Sequence, residues 1–395
     1  MKRLTLLAAA ALLCLMAAPS RAAEPKLNAL TPKEVSDGWI LLFDGQTTFG
    51  WSPRDSTRWV AANGTLTPVP GTGKGVLSTT TEFANYHLKA DVWIDDTANS
   101  GIFLRGPVSG TINGTNGYEV NVYDRHAQWP SGSINDVARA SGRVKTVGHW
   151  STYEITADGT RLIVDVNGQT VVNTTDSRHA RGTVGLQYNG EGEVQFRNVK
   201  LQPLGLKSIF NGKDLSGWKL IPDHKSVFTV TPEGWLNVKN GNGDLQTEAQ
   251  YRDFVFQIDV ISNGDHLNSG VFFRALPGQF WSGYESQIRN QWQGDDRTKP
   301  VDYGTGAIYN RQPARRVISS DREWFTKTIV AHGPHFAVWV NGIQVSDFTD
   351  TRPANENGRQ GYKSGAGVIS LQGHDPTTDL SFRHIRVTEL PAASK

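Results

Sequence analysis

Polar and charged side chains recur at alternate positions in two short segments of the sequence. In the first segment, 268–274, the two-residue period of a β-strand puts Asn268 and Arg274 on one face. The apolar Val271 and Phe273 then point the other way, into a core. A strand with one polar and one apolar face is typical of a sheet that packs on one side only. The sequence therefore predicts a polar, ligand-facing surface on this strand.

The second segment carries Glu285 and Gln287, which share a face by the same rule. Arg, Glu and Gln on neighbouring strands offer a mixture of hydrogen-bond donors and acceptors that suits a polar ligand. The alternative is that Arg274 and Glu285 form a solvated ion pair between strands. An aromatic ring could stack on such a ligand, and the candidates are Trp218, Trp281 and Trp292.

His374 follows the motif Leu371-Gln372-Gly373 and is a further candidate for a functional residue. Imidazole titrates near neutral pH and suits proton transfer. The alternative is a structural histidine, which is the more common role of a single histidine. The sequence thus offers one side chain that matches acid–base chemistry at physiological pH.

Other catalytic patterns are absent from the sequence. It contains no HExxH motif, no phosphate-binding glycine-rich loop and no Gly-x-Ser-x-Gly elbow. His332 and His335 flank a Gly-Pro pair and fit a hairpin corner better than a metal site. Glu119 and Asp124 are five positions apart, an odd spacing that puts them on opposite faces of a strand. The closely paired carboxylates of a retaining glycosidase are therefore not expected.

The candidate residues belong to an internal duplication. Five motifs of the first half recur in the same order in the second half, so that Arg105 and Glu119 correspond to Arg274 and Glu285. This recurrence favours a role common to both copies, either functional or structural. His374 differs, because the first copy has Asn189 at that position.

The second copy also carries 11 extra residues between its Asn-Gly hairpin and the motif that precedes His374. A long polar loop beside a candidate site is typically a rim or a lid. The alternative is a surface loop without a role. The insertion includes Arg352, Asn355, Glu356, Asn357 and Arg359.

Each copy has the periodicity of β-strands. Alternating apolar runs lead into Asn167-Gly168 and Asn341-Gly342, and Asn-Gly between such runs is a strong signal for a tight hairpin. Long amphipathic helices are absent beyond the N-terminal segment. The sequence predicts an all-β protein with two sandwich or jelly-roll domains, one over residues 38–203 and one over residues 206–390.

The N-terminus predicts export. Lys2 and Arg3 precede an apolar run that ends at the small-x-small sequence Ser20-Arg21-Ala22, so residues 1–22 are expected to be a signal peptide. Cys14, the only cysteine, lies in that segment, which leaves the mature chain without thiol chemistry. Its removal leaves 37 basic against 38 acidic residues, so the charge falls from +2 to −1. We expect a soluble periplasmic or secreted protein without a membrane anchor, and the charge gives no reason to expect nucleic-acid binding.

Taken together, the motifs resemble those of the 3-keto-disaccharide hydrolase domain family. The resemblance covers nearly the whole mature chain twice and is closer for the second copy. It implies a concanavalin A-like jelly roll in each copy, with a concave sheet that binds sugar, and an activity on glycosides already oxidised at C3. The motifs are Phe-Asp-Gly with Gly-Trp, Asn-Ser-Gly-Ile-Phe-Leu-Arg, Gly-Tyr-Glu, Gly-Ala-Ile-Tyr ending at Tyr309, the strand of Trp324, the Asn-Gly hairpin and the closing Leu-Gln-Gly-His.

The resemblance implies a mechanism and a set of site residues in the second copy. A ketone at C3 acidifies the C2 proton, so a base can remove it while the aglycone leaves from C1. We assign His374 as base or acid, Glu285 as its partner or the opposite proton donor, and Arg274 as the anchor for the enolate or substrate. No cofactor is required by the sequence, and a divalent cation that polarises the ketone is compatible with it. The expected carbohydrate-binding residues are Gln287, Trp218, Tyr309, Asn268, Arg105 and Glu119.

A non-catalytic tandem carbohydrate-binding module is the alternative function. Two copies would give avidity for a polymer, and the first copy lacks the histidine. We expect a division of labour in which the first copy binds or scaffolds and the second copy catalyses.

Overall fold

A computed structural model describes residues 26–392, so the predicted signal peptide and Cys14 lie outside the described residues. The described chain has one short helix, α1 (Pro32–Ser36), and is otherwise built of strands. Thr31 caps the helix by accepting a hydrogen bond from the Glu34 N–H at 3.2 Å, while Glu34 bonds back to the Thr31 N–H at 2.9 Å. Within residues 26–392 no helix is long and apolar enough to cross a membrane.

The first copy is a sandwich of two antiparallel sheets. Eight strands form the large sheet, in the order β11-β10-β9-β6-β13-β4-β3 with β1 also paired to β13, and five form the small sheet, β2-β5-β12-β7-β8. These strands are β1 (Ile40–Leu41), β2 (Trp51–Pro53), β3 (Trp59–Ala62), β4 (Thr65–Pro68), β5 (Gly75–Thr79), β6 (Tyr86–Ile94), β7 (Ser100–Gly106), β8 (Tyr118–Val122), β9 (Ser151–Asp158), β10 (Arg161–Val166), β11 (Gln169–Thr175), β12 (Thr183–Tyr188) and β13 (Val194–Pro203).

The second copy repeats this arrangement. Its large sheet has the order β16-β17-β28-β19-β24-β25-β26 with β14 on β28, its small sheet the order β15-β18-β27-β20-β21, and β22-β23 form an added ribbon. Its strands are β14 (Lys207–Ser208), β15 (Trp218–Leu220), β16 (Val227–Val230), β17 (Leu236–Lys239), β18 (Gly243–Tyr251), β19 (Phe254–Ser262), β20 (Ser269–Ala275), β21 (Tyr284–Ile288), β22 (Trp292–Gln293), β23 (Asp296–Pro300), β24 (Phe325–His332), β25 (His335–Val340), β26 (Ile343–Thr349), β27 (Gly367–Gly373) and β28 (Asp379–Glu389).

The all-β prediction of two tandem concanavalin A-like jelly rolls is therefore confirmed. Both predicted hairpins have the positive φ angles that their turn needs, 52° and 79° at Asn167-Gly168 and 47° and 75° at Asn341-Gly342. Val271 and Phe273 lie in the core between the sheets of the second copy, as the strand period predicts. The apolar positions of the strands thus bury one face of each sheet.

The two copies are in direct contact. Trp339 on the outer face of β25 is 1% exposed and belongs to the apolar cluster of the first copy, where its ring centroid lies 6.3 Å from that of Phe83. Its indole N–H donates to the Leu41 carbonyl at 2.9 Å. Arg315 adds an ion pair to Asp44 at 2.8 Å. The core of the first copy therefore continues onto the large sheet of the second.

Candidate active site

The candidate site lies on the outer face of the small sheet of the second copy. On its strands the residues between the polar positions point into the core, as Leu245 and Leu371 do. The polar side chains are nevertheless buried, because loops cover this face. Those on the face are Asp244, Gln246, Ser370, Gln372, Glu285 and Gln287.

His374 follows β27 at one end of this face. Its Nδ1 lies 2.9 Å from an Asp375 carboxylate oxygen, and 37% of its side chain is exposed. The Asp375 carboxylate is itself fixed by the N–H and the hydroxyl of Thr377. A carboxylate at Nδ1 favours the tautomer with the proton there, so Nε2 is the acceptor nitrogen of the ring, and the Asn268 amide donates to it at 3.3 Å. The pair has the geometry of a general base.

A row of hydrogen bonds, here called the polar row, runs from His374 along the face through Asn268 and Asp302 to Gln287. The Asn268 amide nitrogen lies 3.3 Å from His374 Nε2 and 3.1 Å from an Asp302 carboxylate oxygen. The Gln287 amide donates to the same oxygen at 3.1 Å. The structure therefore brings together three residues that the sequence predicted, and Asp302 connects them.

Glu285 lies next to Gln287 on the same face and is 4% exposed. Arg359 donates to a Glu285 carboxylate oxygen at 2.6 Å. Burial raises the pKa of Glu285 to about 7, against the opposing effect of Arg359. A Cβ on Gly270 would lie 2.6 Å from the other Glu285 oxygen, so only glycine leaves room for this carboxylate. Glu285 can therefore exchange a proton near neutral pH.

Aromatic rings surround Arg359 at the mouth of the site. The guanidinium lies 4.2 Å from the Trp281 ring centroid and 5.6 Å from that of Tyr309. The indole of Trp281 is exposed. The backbone carbonyl of Trp281 accepts a hydrogen bond from Arg359 at 2.8 Å. Tyr309 also donates its N–H to the Glu285 carbonyl at 2.9 Å. The inserted loop thus forms a rim, and Arg359 is its contact with the acid.

Asp244 on β18 supplies a second buried carboxyl group. Burial raises the pKa of Asp244 to about 7, although the Trp281 N–H donates to one of its oxygens. The charge of Asp244 also raises the pKa of Glu285. Two carboxyl groups that share one face and hold their protons near neutrality are typical of a functional site.

Several acceptor atoms on this face are buried without a hydrogen-bond partner. Buried polar groups are almost always paired in folded proteins, so a cluster of unpaired ones needs a ligand or water to complete it. A ligand that offers several hydroxyl groups would satisfy them. The unpaired atoms are Asp244 Oδ1, Asn268 Oδ1, Gln287 Oε1 and Gln372 Oε1.

Arg274 does not lie at this site, so its predicted role as the substrate anchor is wrong. It has a φ of 46°, and the register of β20 with β27 breaks between residues 272 and 275, which turns its side chain into the end of the sandwich. The fully buried guanidinium donates to the carbonyls of Arg252, Gly333 and Lys363 at 2.8 to 2.9 Å. It also pairs with Asp253 at 3.1 Å. Arg274 is a structural clamp between loops.

Arg105 has the same structural role in the first copy, so its predicted role in sugar binding is also wrong. Its φ is 55°, and it donates to the carbonyls of Ala84, Gly159 and His179 at 2.8 to 2.9 Å. The one difference is that Asn85 stands where the second copy has Asp253. The recurrence of this arginine thus reflects folding.

Trp218 is also not available to a sugar. It is 6% exposed, and its indole N–H donates to the Ile209 carbonyl at 2.8 Å. Trp51 makes the equivalent bond to Leu42 in the first copy. The aromatic ring that the site does present is Trp281.

The corresponding face of the first copy carries an apolar cluster of Val76, Phe103 and Ile112. Phe103 has its counterpart in Phe272 of the second copy, whereas Val76 stands where the second copy has Asp244.

Glu119 lies beside this cluster. Burial raises the pKa of Glu119, opposed by the amides of Asn135 and Gln187. No arginine of the described chain pairs with Glu119. The first copy therefore keeps this carboxyl group and a neighbouring glutamine but lacks the arginine partner and the second carboxyl group.

The site contains four residues that the sequence analysis did not assign. Asp302, Asp244 and Arg359 complete its outer face, and Lys327 lies directly beneath it. Comparison of the copies position by position would have found Asp244, because it stands where the first copy has Val76. Lys327 gives a similar signal, because it is in phase with the inward-facing Phe325 and Ile329. Within residues 26–392 no group of three or more His, Cys, Asp or Glu side chains could hold a metal ion.

Both copies match the same family of known proteins. Residues 38–202 and 205–388 each match the profile of the 3-keto-alpha-glucoside-1,2-lyase-like domain family. A comparison with curated proteins gave no match.

Solved structures match one copy at a time. A candidate glycosyl hydrolase from Parabacteroides distasonis is 20% identical, with a TM-score of 0.40, over 45% of this chain and 100% of its own. The carbohydrate-binding module CBM66 from Bacillus subtilis is 19% identical, with a TM-score of 0.32, over 39% of this chain and 96% of its own.

Proposed function

The chain belongs to the 3-keto-alpha-glucoside-1,2-lyase-like domain family, and on that premise we propose that its second copy cleaves 3-keto-glycosides by elimination across C1 and C2 of the sugar. The observation that carries the proposal is the position of His374, with Asp375 on its Nδ1 and its Nε2 at the end of the polar row. This is a base directed at a surface of unpaired acceptors.

In the proposed first step, His374 Nε2 removes the proton on C2. The electrons of that C–H bond pass into the C2–C3 bond and onto the ketone oxygen, which forms an enolate. A cation or hydrogen-bond donor must stabilise this charge. Arg359 takes this role in place of Arg274, because its guanidinium lies on the face of the site beside Glu285.

In the second step the enolate collapses, a C1–C2 double bond forms, and the bond between C1 and the aglycone oxygen breaks. Glu285 donates a proton to that oxygen, so the aglycone leaves as a neutral alcohol. A carboxyl group with a pKa of about 7 suits this task, since it keeps its proton at neutral pH and can give it up. Addition of water across the double bond would make the overall reaction a hydrolysis.

The test is release of the aglycone from a 3-keto-disaccharide, with the unoxidised parent sugar as control. We expect turnover of the keto sugar only, and turnover of neither would refute the proposal. Running the reaction in D2O separates the mechanisms. Elimination followed by hydration puts deuterium on C2, whereas direct hydrolysis leaves that position unlabelled.

We further propose that the first copy does not catalyse. The support is that Val76 stands where the second copy has Asp244, and Asn189 where it has His374. A binding role stays open for this copy. Calorimetry on the variant Glu285→Gln, in which turnover is expected to be lost, would measure whether the protein still binds the keto sugar. A protein that binds both sugars equally and turns over neither would be a carbohydrate-binding module.

We also propose that the protein is exported, from the sequence of residues 1–22. N-terminal sequencing of protein recovered outside the cytoplasm is expected to begin at Ala23. Recovery of the uncut chain in the cytoplasm alone would refute this.

A further inference from the structure

Lys327 is a buried lysine in the core between the two sheets of the second copy. It lies on β24, its side chain is 0% exposed, and Phe325 and Ile329 on the same strand face belong to the apolar core. Its Nζ donates to the carbonyls of Ser286 at 3.0 Å and Gln287 at 2.8 Å. Burying an ammonium group is costly unless it is paired, so its presence here needs a reason.

Its bonding partners are the two residues that follow Glu285 on β21. The Glu285 side chain points to the outer face of that strand, and Lys327 approaches from the inner face. The two groups therefore lie on opposite sides of one strand. Burial lowers the pKa of Lys327 to about 7, and the charge of Glu285 acts in the opposite direction.

The first copy shows that the fold does not require this lysine. Strand β9 carries Tyr153 at the equivalent position, opposite Val166 as Lys327 is opposite Val340. Tyr153 is also fully buried. The lysine thus occurs only in the copy that has Arg359 and the polar row.

We propose that Lys327 is a positioning residue for the site of the second copy, which holds β21 through two carbonyl groups and whose charge, acting through the strand, favours the carboxylate form of Glu285. The inference rests on the proposed function only in giving Glu285 a proton to transfer. Its structural content, a cation coupled to a carboxyl group across a strand, does not depend on the reaction.

The direction of the effect follows from the charges around Glu285. Arg359 from the inserted loop and Lys327 from beneath both favour the carboxylate, whereas burial and the charge of Asp244 on β18 favour the acid. Tyr309 also faces Glu285 from the rim. Removing the charge of Lys327 leaves one cation against the same burial. The pKa of Glu285 must then rise.

The experiment is a ¹³C NMR titration of the Glu285 carboxyl group in the full chain, assigned with Glu285→Gln. The variants are Lys327→Met, which removes charge and donors, and Lys327→Gln, which keeps an amide donor for the carbonyl groups. We expect the midpoint to rise by a few tenths of a pH unit in both, because Lys327 is the weaker of the two cations that act on Glu285. Lys239→Met, which removes an exposed charge far from β21, is the control and is expected to leave the midpoint unchanged.

An unchanged midpoint in Lys327→Met, or a midpoint restored by Lys327→Gln, would overturn the proposal, since either result leaves only hydrogen bonding. If the methionine variant does not fold, Lys327→Gln and Lys327→Tyr give the same reading, the latter carrying the residue of the first copy. The titration needs no substrate. A wild-type protein without turnover would therefore refute the proposed reaction and still decide the role of Lys327.

Discussion

The small sheets of the two copies have the same strands in the same register and differ at particular positions of their outer faces. Leu77 and Leu186 pair across β5 and β12 as Leu245 and Leu371 pair across β18 and β27. On the outer face, Val76 of the first copy is replaced by Asp244 in the second. The leucines that face the core are thus the same in both copies, while a single change on the outer face adds a second carboxyl group to the site.

The two buried arginines teach the converse. Arg105 and Arg274 recur with the same backbone angle and the same three kinds of carbonyl partner, although only one copy has the polar row. A residue that occurs both in the copy without the polar row and in the copy with it is more plainly required for folding than for catalysis. The residues that differ between the copies identify the site.

The largest expected effect separates the two copies by activity. Replacing His374 with alanine, or with the asparagine of the first copy, should lower kcat for the 3-keto-disaccharide by about 10³-fold, because proton transfer is lost. Glu285→Gln should have a comparable effect. The matched change Glu119→Gln in the first copy is expected to leave kcat unchanged, and a loss there would show that both copies catalyse.

The next effect concerns stability and should appear in both copies. Arg274→Met removes the donor to three buried carbonyls and one of the three arginines that pair with the buried Asp253, so we expect it to lower the free energy of unfolding by about 3 kcal/mol. Arg105→Met should cost less, about 2 kcal/mol, because its polar partner Asn85 is neutral. Urea denaturation measures both. Equal losses would mean that the charge of Asp253 contributes little.

A smaller effect depends on pH and belongs to the second copy alone. The pKa of Asp244 is about 7 in the folded chain, whereas an aspartate in an unfolded chain titrates near 4. The unfolded state therefore loses this proton first, and the folded protein loses stability as pH rises from about 4 to about 7. Asp244→Asn cannot ionise, so its melting temperature should fall less over that range.

The control for this prediction is Asp379→Asn, where the shift has the opposite sign. Burial raises the pKa of Asp379, but hydrogen bonds from Asn263 and Asn237 and the charge of Lys239 outweigh it and lower the pKa overall. The stability that Asp379 contributes is present above the pKa of the unfolded state. Asp379→Asn should therefore be less stable than wild type at pH 8, and calorimetry at several pH values compares the two variants.

The smallest expected effect tests which tryptophan meets the sugar. Trp281→Ala removes an exposed ring at the rim and should raise KM about fivefold with little change in kcat, equivalent to about 1 kcal/mol of stacking. Trp218→Phe keeps an aromatic ring in the core and should change the melting temperature without affecting KM. A higher KM in the second variant only would place the sugar elsewhere.

The sequence was sufficient for the fold and for part of the site. Strand period and the Asn-Gly turns depend on local backbone geometry, so the sandwich and the shared face of Glu285 and Gln287 follow from them, whereas His374 was assigned from the family resemblance. Arg274 could not be placed in this way, since a positive φ and a break in register reverse the face of its side chain. The prediction that Trp218 binds the sugar was wrong because the burial of a side chain depends on what packs above its strand. The alternation of polar and apolar residues does not specify that packing.

The contact of Arg359 with Glu285 and the position of Asp302 could not be predicted from the sequence, for a different reason. Both lie in loops that return to the sheet from distant parts of the chain, and loop paths have no period from which to read their contacts. Lys327 was readable in principle, because a lysine in phase with apolar residues conflicts with the core that the pattern predicts. Such a conflict indicates that the residue type at this position is explained by a requirement other than core packing.

The indole of Trp339, bonded to Leu41 and packed on Phe83, limits how this protein can change. A recombination event that exchanged one half for a foreign relative would remove the surface that shields this ring and would leave a cavity in the other half. The halves must therefore be inherited together, with matched substitutions at their junction.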